Sequence, residues 1–323
     1  MPSHKHFITA LFLCFAMSAS TLAADTPHDE PRMSPLMGAA YRGDIATVKT
    51  LVAHGADVNE KNAYGATALM MAAGATPVSP PAHAGSTEVL AYLIDHGAEV
   101  NAIGGNDTTA LRFAIMHHNM ASVRLLIDHG ADINAGRTSG NTALAEAVER
   151  EDSDIVQLLL AQGAAVNDYA DINGQTPLMR AVARFHAPPA DLSPDALWTE
   201  LLHKSRPLMV QNEIVDGLLA HGAETNGTDR NGETVLTLAA SVGRTSIIKA
   251  LVEHGARLNA TNRRGRTALM IAASDGNETL VNYLLQKGAD VRLKDTTGQT
   301  ARQSAEQRGH AEVAQRLRKA EGL

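Results

Sequence analysis

From residue 33 onward, apolar residues recur three and four apart in short runs, as in Val48, Leu51 and Val52 or Val123, Leu126 and Ile127. That spacing lines up side chains on one face of an α-helix. Each run stops at a glycine, namely Gly55, Gly97, Gly130, Gly163, Gly222, Gly255 or Gly288, the residue that most readily takes the left-handed turn after a helix. Ahead of each such helix lies a shorter apolar run that opens on Thr or Ser, a residue able to cap orphan N–H groups, with Pro35 and Pro177 at first helical positions. Alanine pairs (Ala39-Ala40, Ala72-Ala73, Ala239-Ala240, Ala272-Ala273) mark these first helices as places where neighbours approach closely. A short extended pair follows each glycine stop, and Gly65, Gly140, Gly174, Gly232, Gly265 and Gly298 mark the next turn. The predicted unit is two helices and a hairpin-like loop.

Two phrases repeat in phase. One is His-Gly-Ala-Asp/Glu-Val/Ile-Asn, at His54–Asn59, His96–Asn101 and His129–Asn134, with weaker copies at Gln162–Asn167, His221–Asn226, His254–Asn259 and Lys287–Arg292. The other is Thr-Ala/Pro-Leu, whose copies begin at 34, 67, 109, 142, 176, 234, 267 and 300. The spacings are 33, 42, 33, 34, 58, 33 and 33, a 33-residue period broken twice. A unit of this kind cannot bury its apolar face alone, so stacking is required for a core. The last unit, rich in Arg, Gln and Glu, suits a solvent-facing cap.

On these residues the chain resembles the ankyrin-repeat family over 33–323. The resemblance implies an all-α fold, an α-solenoid of about eight helix-turn-helix repeats joined by β-hairpin-like loops. It also implies a platform that binds other proteins through a concave face of hairpin tips and first helices. One departure is visible. The family's histidine after Leu is absent from every copy, replaced by Met37, Met70, Arg112, Ala145, Met179, Thr237, Met270 and Arg302, which removes the hydrogen bonds it would make at the turn. In the loops, Asn62, Asp171, Asp229, Asn262 and Asp295 recur at one position and read as turn-formers. Tyr64, Arg137, Tyr169, Arg230, Arg263 and Arg264 do not recur, and Tyr and Arg are frequent binding hot spots, so these are the candidate partner-binding residues.

The two breaks are insertions between the helices of a repeat, near 75–84 and 187–211. The first holds Pro77, Pro80 and Pro81, which favour an extended loop. The second contains Ser193-Pro194-Asp195 followed by Leu197, Trp198, Leu201 and Leu202, the pattern of a short capped amphipathic helix. Its apolar face either folds down on its own repeats or anchors a partner through Trp198, a further candidate binding residue.

Residues 1–24 follow a different pattern, with Lys5 near the start, an apolar run over 7–17 and small residues up to Ala24. That is a secretory leader, with cleavage expected after Ala23 and a flexible segment over 24–32. Export to the periplasm or beyond is the expectation, without stable membrane insertion once the leader is removed. Removing 23 residues, Lys5 and Cys14 among them, leaves 300 residues, no cysteine and a net charge of −8, one below the −7 of the whole chain. Acidity and a 3% aromatic content argue against nucleic-acid binding.

The fourteen histidines draw attention to metals, but His54, His96, His129, His221 and His254 share one helix-end position, where a cation suits the helix dipole. His117 and His118 are sequential and point apart, and the rest have no partner at ligand spacing. Methionines at helical spacing read as core filler. No nucleophile elbow, phosphate loop or carboxylate pair is present. The expectation is a monomeric, non-catalytic interaction scaffold with a protein partner and no cofactor or metal. Two alternatives stand beside it: an inhibitor or immunity protein against an exported toxin, and an enzyme or assembly factor using histidines such as His117 and His186.

Overall fold

Each residue that opens a repeat caps its first helix. Ser34, Thr67, Thr109, Thr142, Thr176, Thr234, Thr267 and Thr300 all accept, at 3.1–3.4 Å, the backbone N–H of the residue three positions on. Several second helices are capped in the same way, by Asp44, Asn119, Asp152 and Asn277. The computed structural model describes residues 33–74, 83–136, 140, 142–168, 173–183 and 211–322.

Within these residues the chain runs as helix pairs. They are α1 (Pro35–Tyr41) with α2 (Ile45–Ala53), α3 (Ala68–Ala73) with α4 (His83–Asp95), α5 (Ala110–Met116) with α6 (Met120–Asp128), and α7 (Ala143–Glu149) with α8 (Ser153–Ala161). After them come α9 (Pro177–Ala183) with α10 (residues 211–220), α11 (Val235–Ser241) with α12 (Thr245–Glu253), α13 (Ala268–Ser274) with α14 (Glu278–Gln286), and α15 (Ala301–Gln307) with α16 (Ala311–Glu321). The fold is an α-solenoid. Strand-like pairing among the described residues is limited to two antiparallel bridges, Thr228–Thr234 and Thr261–Thr267.

Consecutive first helices pack directly on one another from α1 to α15. Their contact positions are small and fully buried, as at Ala39, Ala40, Ala72, Ala73, Ala239 and Ala273. The second helices form an outer row and close the core with branched residues such as Val123, Leu126, Ile155, Leu159, Ile248, Leu251, Leu280 and Leu284. Met37, Met70, Met71, Met179 and Met270 are buried, in keeping with a filler role. The glycine stops take the left-handed conformation, with φ of 87° at Gly55 and 80° at Gly130.

The asparagine that ends each repeated phrase joins one repeat to the next. Asn226 donates from Nδ2 to the Gly255 carbonyl at 3.1 Å, and its Oδ1 accepts the Arg257 N–H at 2.8 Å. The same pair of bonds links Asn59 to Gly97 and Glu99, Asn101 to Gly130 and Asp132, and Asn134 to Gly163 and Ala165. Asn167 makes it to Gly222 and Glu224 across the whole second insertion, so the period stays in register there. The final copy of the phrase ends in Arg292, and the helix pair after it, α15 and α16, carries no further copy for such a link to reach.

The insertions lie between the helices of the second and fifth pairs. Residues 75–82 and 184–210, which include Trp198, are outside the described residues, as are the leader and Ala23. The expected first insertion ends inside α4, whose first turn starts at His83, because α4 is longer than the other second helices. Gln211, expected at the edge of the second insertion, is a buried residue of α10 whose side chain donates to the Ala181 carbonyl of α9.

Replacing Asn226 by Ala removes both bonds of one link and strands an N–H and a carbonyl in neighbouring turns. The expected loss is about 1–2 kcal/mol, read as a lower urea midpoint by circular dichroism. An unchanged midpoint would show that the apolar stack alone sets the register.

Candidate functional site

The loops between repeats are where the chain varies, and their geometry comes from a few side chains. Asn62 Oδ1 accepts the N–H groups of Tyr64 and Ala66 at 3.0 and 2.9 Å, while its own N–H donates to the Ala66 carbonyl. Asp229, Asn262 and Asp295 hold their turns in the same way, each through two backbone N–H groups four residues or fewer away. These side chains supply turn bonds in a chain that lacks the family's histidine. Thr237, at one of the replaced positions, adds a reciprocal cap with Thr234 and donates to Glu233 Oε2 at 2.8 Å.

Neighbouring hairpin tips are tied by backbone. Gly105 N–H donates to the Tyr64 carbonyl at 2.7 Å, Arg230 N–H to the Asn173 carbonyl at 2.8 Å, and Thr296 N–H to the Arg264 carbonyl at 2.9 Å. At Gly232, φ is +73° and an added Cβ would lie 2.9 Å from Arg263 Cβ, so the tip accommodates only glycine beside its neighbour. Among the described residues, the tips tied in this way have a held backbone from which their side chains project.

The candidate residues separate along this row. Arg230, Arg263 and Arg264 come together in adjacent hairpins, all exposed, and Arg263 Nη2 donates to the Arg230 carbonyl at 2.9 Å. Part of Arg263 is thus spent on cohesion between tips. Tyr64 lies at the other end, half-buried, in the same turn position that Arg264 occupies in its own hairpin. Beside Tyr64 stands Ile103, a residue the sequence reading passed over. It is 53% exposed, one of two large hydrophobics so exposed among the described residues, and Lys61 Nζ donates to its carbonyl at 3.2 Å. An apolar residue in an otherwise polar loop was the signal available for it. Arg137 and Tyr169 lie outside the described residues, with Trp198.

Behind the hairpins, the first helices carry an ion-pair chain. Glu146 of α7 receives Arg112 of α5 at 3.2 Å and Arg150 at 2.9 Å, and Glu149 pairs with Arg180 of α9. The Arg112 and Glu146 side chains are only 13% and 10% exposed, so this pair bridges two repeats at a partly dry seam. His117 ends α5 next to it, stacked on Phe113 with ring centroids 5.9 Å apart. Gly74 faces both rings so closely that a Cβ there would sit 2.7 Å from Phe113 and 2.8 Å from His117.

The five helix-end histidines prove to be hydrogen-bonding caps. In each, Nδ1–H donates to the carbonyl four residues back at 2.7–2.9 Å, as in His54 to Thr50 and His254 to Ala250. The bond forms with the ring neutral or charged, at the helix end where a cation also suits the dipole. His118 makes a separate contact, 3.1 Å from Asp152 Oδ2. Among the described residues, no group of three or more His, Cys, Asp or Glu is placed to hold a metal ion, and no helix is long and apolar enough to cross a membrane.

Burial pushes the His117 pKa below its ordinary value, with Arg150 and His118 adding to the shift and Glu146 opposing it. A folded-state pKa below the unfolded value means that the unfolded chain binds the proton more readily. Stability from this residue is then complete above about pH 6.5 and falls as pH drops below that, levelling off once the folded ring is protonated. His117→Gln removes the dependence. Urea midpoints measured between about pH 7.5 and 5 should fall less in the variant than in the wild type, and equal slopes would show that His117 titrates as a solvated ring.

A family model for ankyrin repeats matches residues 19–79, 36–137, 134–187 and 208–295. Among solved structures, the human ASB11 ankyrin repeat domain matches with a TM-score of 0.58 and 24% identity, covering 80% of this chain and 99% of that one. No curated protein matches the sequence.

Proposed function

The chain belongs to the ankyrin-repeat family, whose members are in general protein–protein interaction modules, and on that premise we propose that it is an exported, non-catalytic scaffold that captures a protein partner along its hairpin tips and concave face. The observation that carries this reading is the row of tips itself. Among the described residues its backbone is tied between repeats at Tyr64, Asn173 and Arg264, so little ordering entropy remains there to oppose binding. Its variable positions present Tyr64, Ile103, Arg230, Arg263 and Arg264, types that contribute heavily at interfaces. Tyr169 and Arg137 belong to the same loops in sequence, and Trp198 to the second insertion.

The leader read in residues 1–24 supports a place in the periplasm or outside the cell. A partner in that compartment meets a chain that has lost its only cysteine with the leader and so forms no disulfide with it.

The test is a cross-linked capture of the tagged chain from the periplasm, identified by mass spectrometry, beside the triple variant Tyr64→Ala, Tyr169→Ala, Arg263→Ala. The wild type is expected to yield one dominant protein and to begin at Ala24 or Asp25. The variant, with an unchanged circular dichroism spectrum, is expected to lose that protein by about tenfold or more, as removal of two or three hot-spot side chains does. Undiminished capture would overturn the surface, and a retained Met1 would overturn the export.

A further inference from the structure

Residues 211–323 carry 15 Lys and Arg against 13 Asp and Glu, whereas residues 1–210 carry 13 against 22. The acidic chain therefore ends in repeats with a small positive excess, and the hairpins show where its cations stand. In the last three hairpins, Arg230, Arg263, Arg264 and Lys294 are all exposed. The carboxylates of the same loops are turned to structural work. Asp229 is buried and accepts the N–H groups of Asn231 and Glu233. Glu233 receives Asn262 and Thr237, and Asp295 accepts Thr297 and Gln299. Among the described residues, neither Arg264 nor Lys294 has a carboxylate within ion-pair range.

We propose that these three hairpins form a basic strip that takes an acidic, extended segment of the partner protein. The proposal rests on the reading of the tips as the binding row and names the chemistry of what binds at one end of it. Guanidinium forks match carboxylates in paired hydrogen bonds, which gives the strip an orientation preference as well as a charge preference. The Thr296 to Arg264 and Arg263 to Arg230 bonds hold the strip's backbone before any ligand arrives. Nucleic acid is the other polyanion to weigh. Residues 227–233, 260–266 and 293–299 contain no aromatic side chain on which bases could stack, and the net negative charge of the chain opposes a long phosphate backbone.

The experiment uses fluorescence anisotropy with the leaderless chain and three labelled probes. They are a Glu/Asp-rich peptide of about eight residues, its Gln/Asn counterpart, and a single-stranded oligonucleotide of similar length. At ~3.3 Å per residue such a peptide covers two steps of about 10 Å between stacked repeats. The acidic peptide is expected to bind at low ionic strength, more weakly at about 0.15 M salt, and the neutral peptide not at all. Arg264→Glu combined with Lys294→Glu should weaken acidic-peptide binding by about tenfold. Arg124→Glu combined with Lys319→Glu makes the same charge change on exposed helix positions and should leave it within about twofold. Equal weakening by both pairs, no binding of the acidic peptide, or tighter binding of the oligonucleotide would each overturn the proposal. Because no natural partner is needed, a negative result here stands apart from the capture experiment, which tests the binding row as a whole.

Discussion

A single carboxamide spans five of the junctions between repeats with a pair of hydrogen bonds, and the register of the stack there depends on it. Asn59, Asn101, Asn134, Asn167 and Asn226 each satisfy one carbonyl and one N–H of the following repeat, groups that a bare turn would leave without partners. The apolar stack is less particular, since alanine faces slide past one another at little cost. A donor and an acceptor fixed on one side chain allow only one alignment. That constraint explains how Asn167 reaches Gly222 across the second insertion without disturbing the helices on either side.

Order in the core passes outward to the hairpins. Small residues let the first helices lie close, close helices set neighbouring loops side by side, and the loops then bond through backbone at Tyr64, Asn173 and Arg264. The turn side chains Asn62, Asp229, Asn262 and Asp295 absorb the N–H groups that would otherwise need water. What is left for a ligand is side chain, not backbone. A surface prepared in this way suits rigid capture of a partner better than folding around it.

Charge is divided along the molecule by function of the site it serves. In the middle repeats, Arg112, Glu146, Arg150, Glu149 and Arg180 pair with one another and bridge α5, α7 and α9. In such partly buried pairs the cost of desolvating both charges offsets much of their attraction. In the last hairpins the carboxylates close turns, and Arg264 and Lys294 stand exposed. The two arrangements use the same residue types and differ only in which neighbours lie within reach.

Much of this was legible in sequence. The 33-residue period, the Thr and Ser caps, the left-handed glycines and the turn asparagines and aspartates follow from local chemistry, because a cap, a stop or a turn is decided within four residues. Less legible were the contacts between repeats. The recurring Asn at 59, 101, 134, 167, 226 and 259 was visible as a pattern, but its partners lie 29 to 57 residues away. The helix-end histidines were legible as helix-end residues, whereas the carbonyl four residues back that each ring bonds came only from the structure. Nor did sequence show that Arg263 braces Arg230, that Ile103 stands exposed beside Tyr64, or that His117 is packed against Phe113 and Gly74. The sequence by itself determined the repeat, its elements and its ends, because each is a local balance of backbone hydrogen bonds and apolar spacing. Only the tertiary structure decided which charges pair and which project, because that depends on distances between residues that stacking alone brings together.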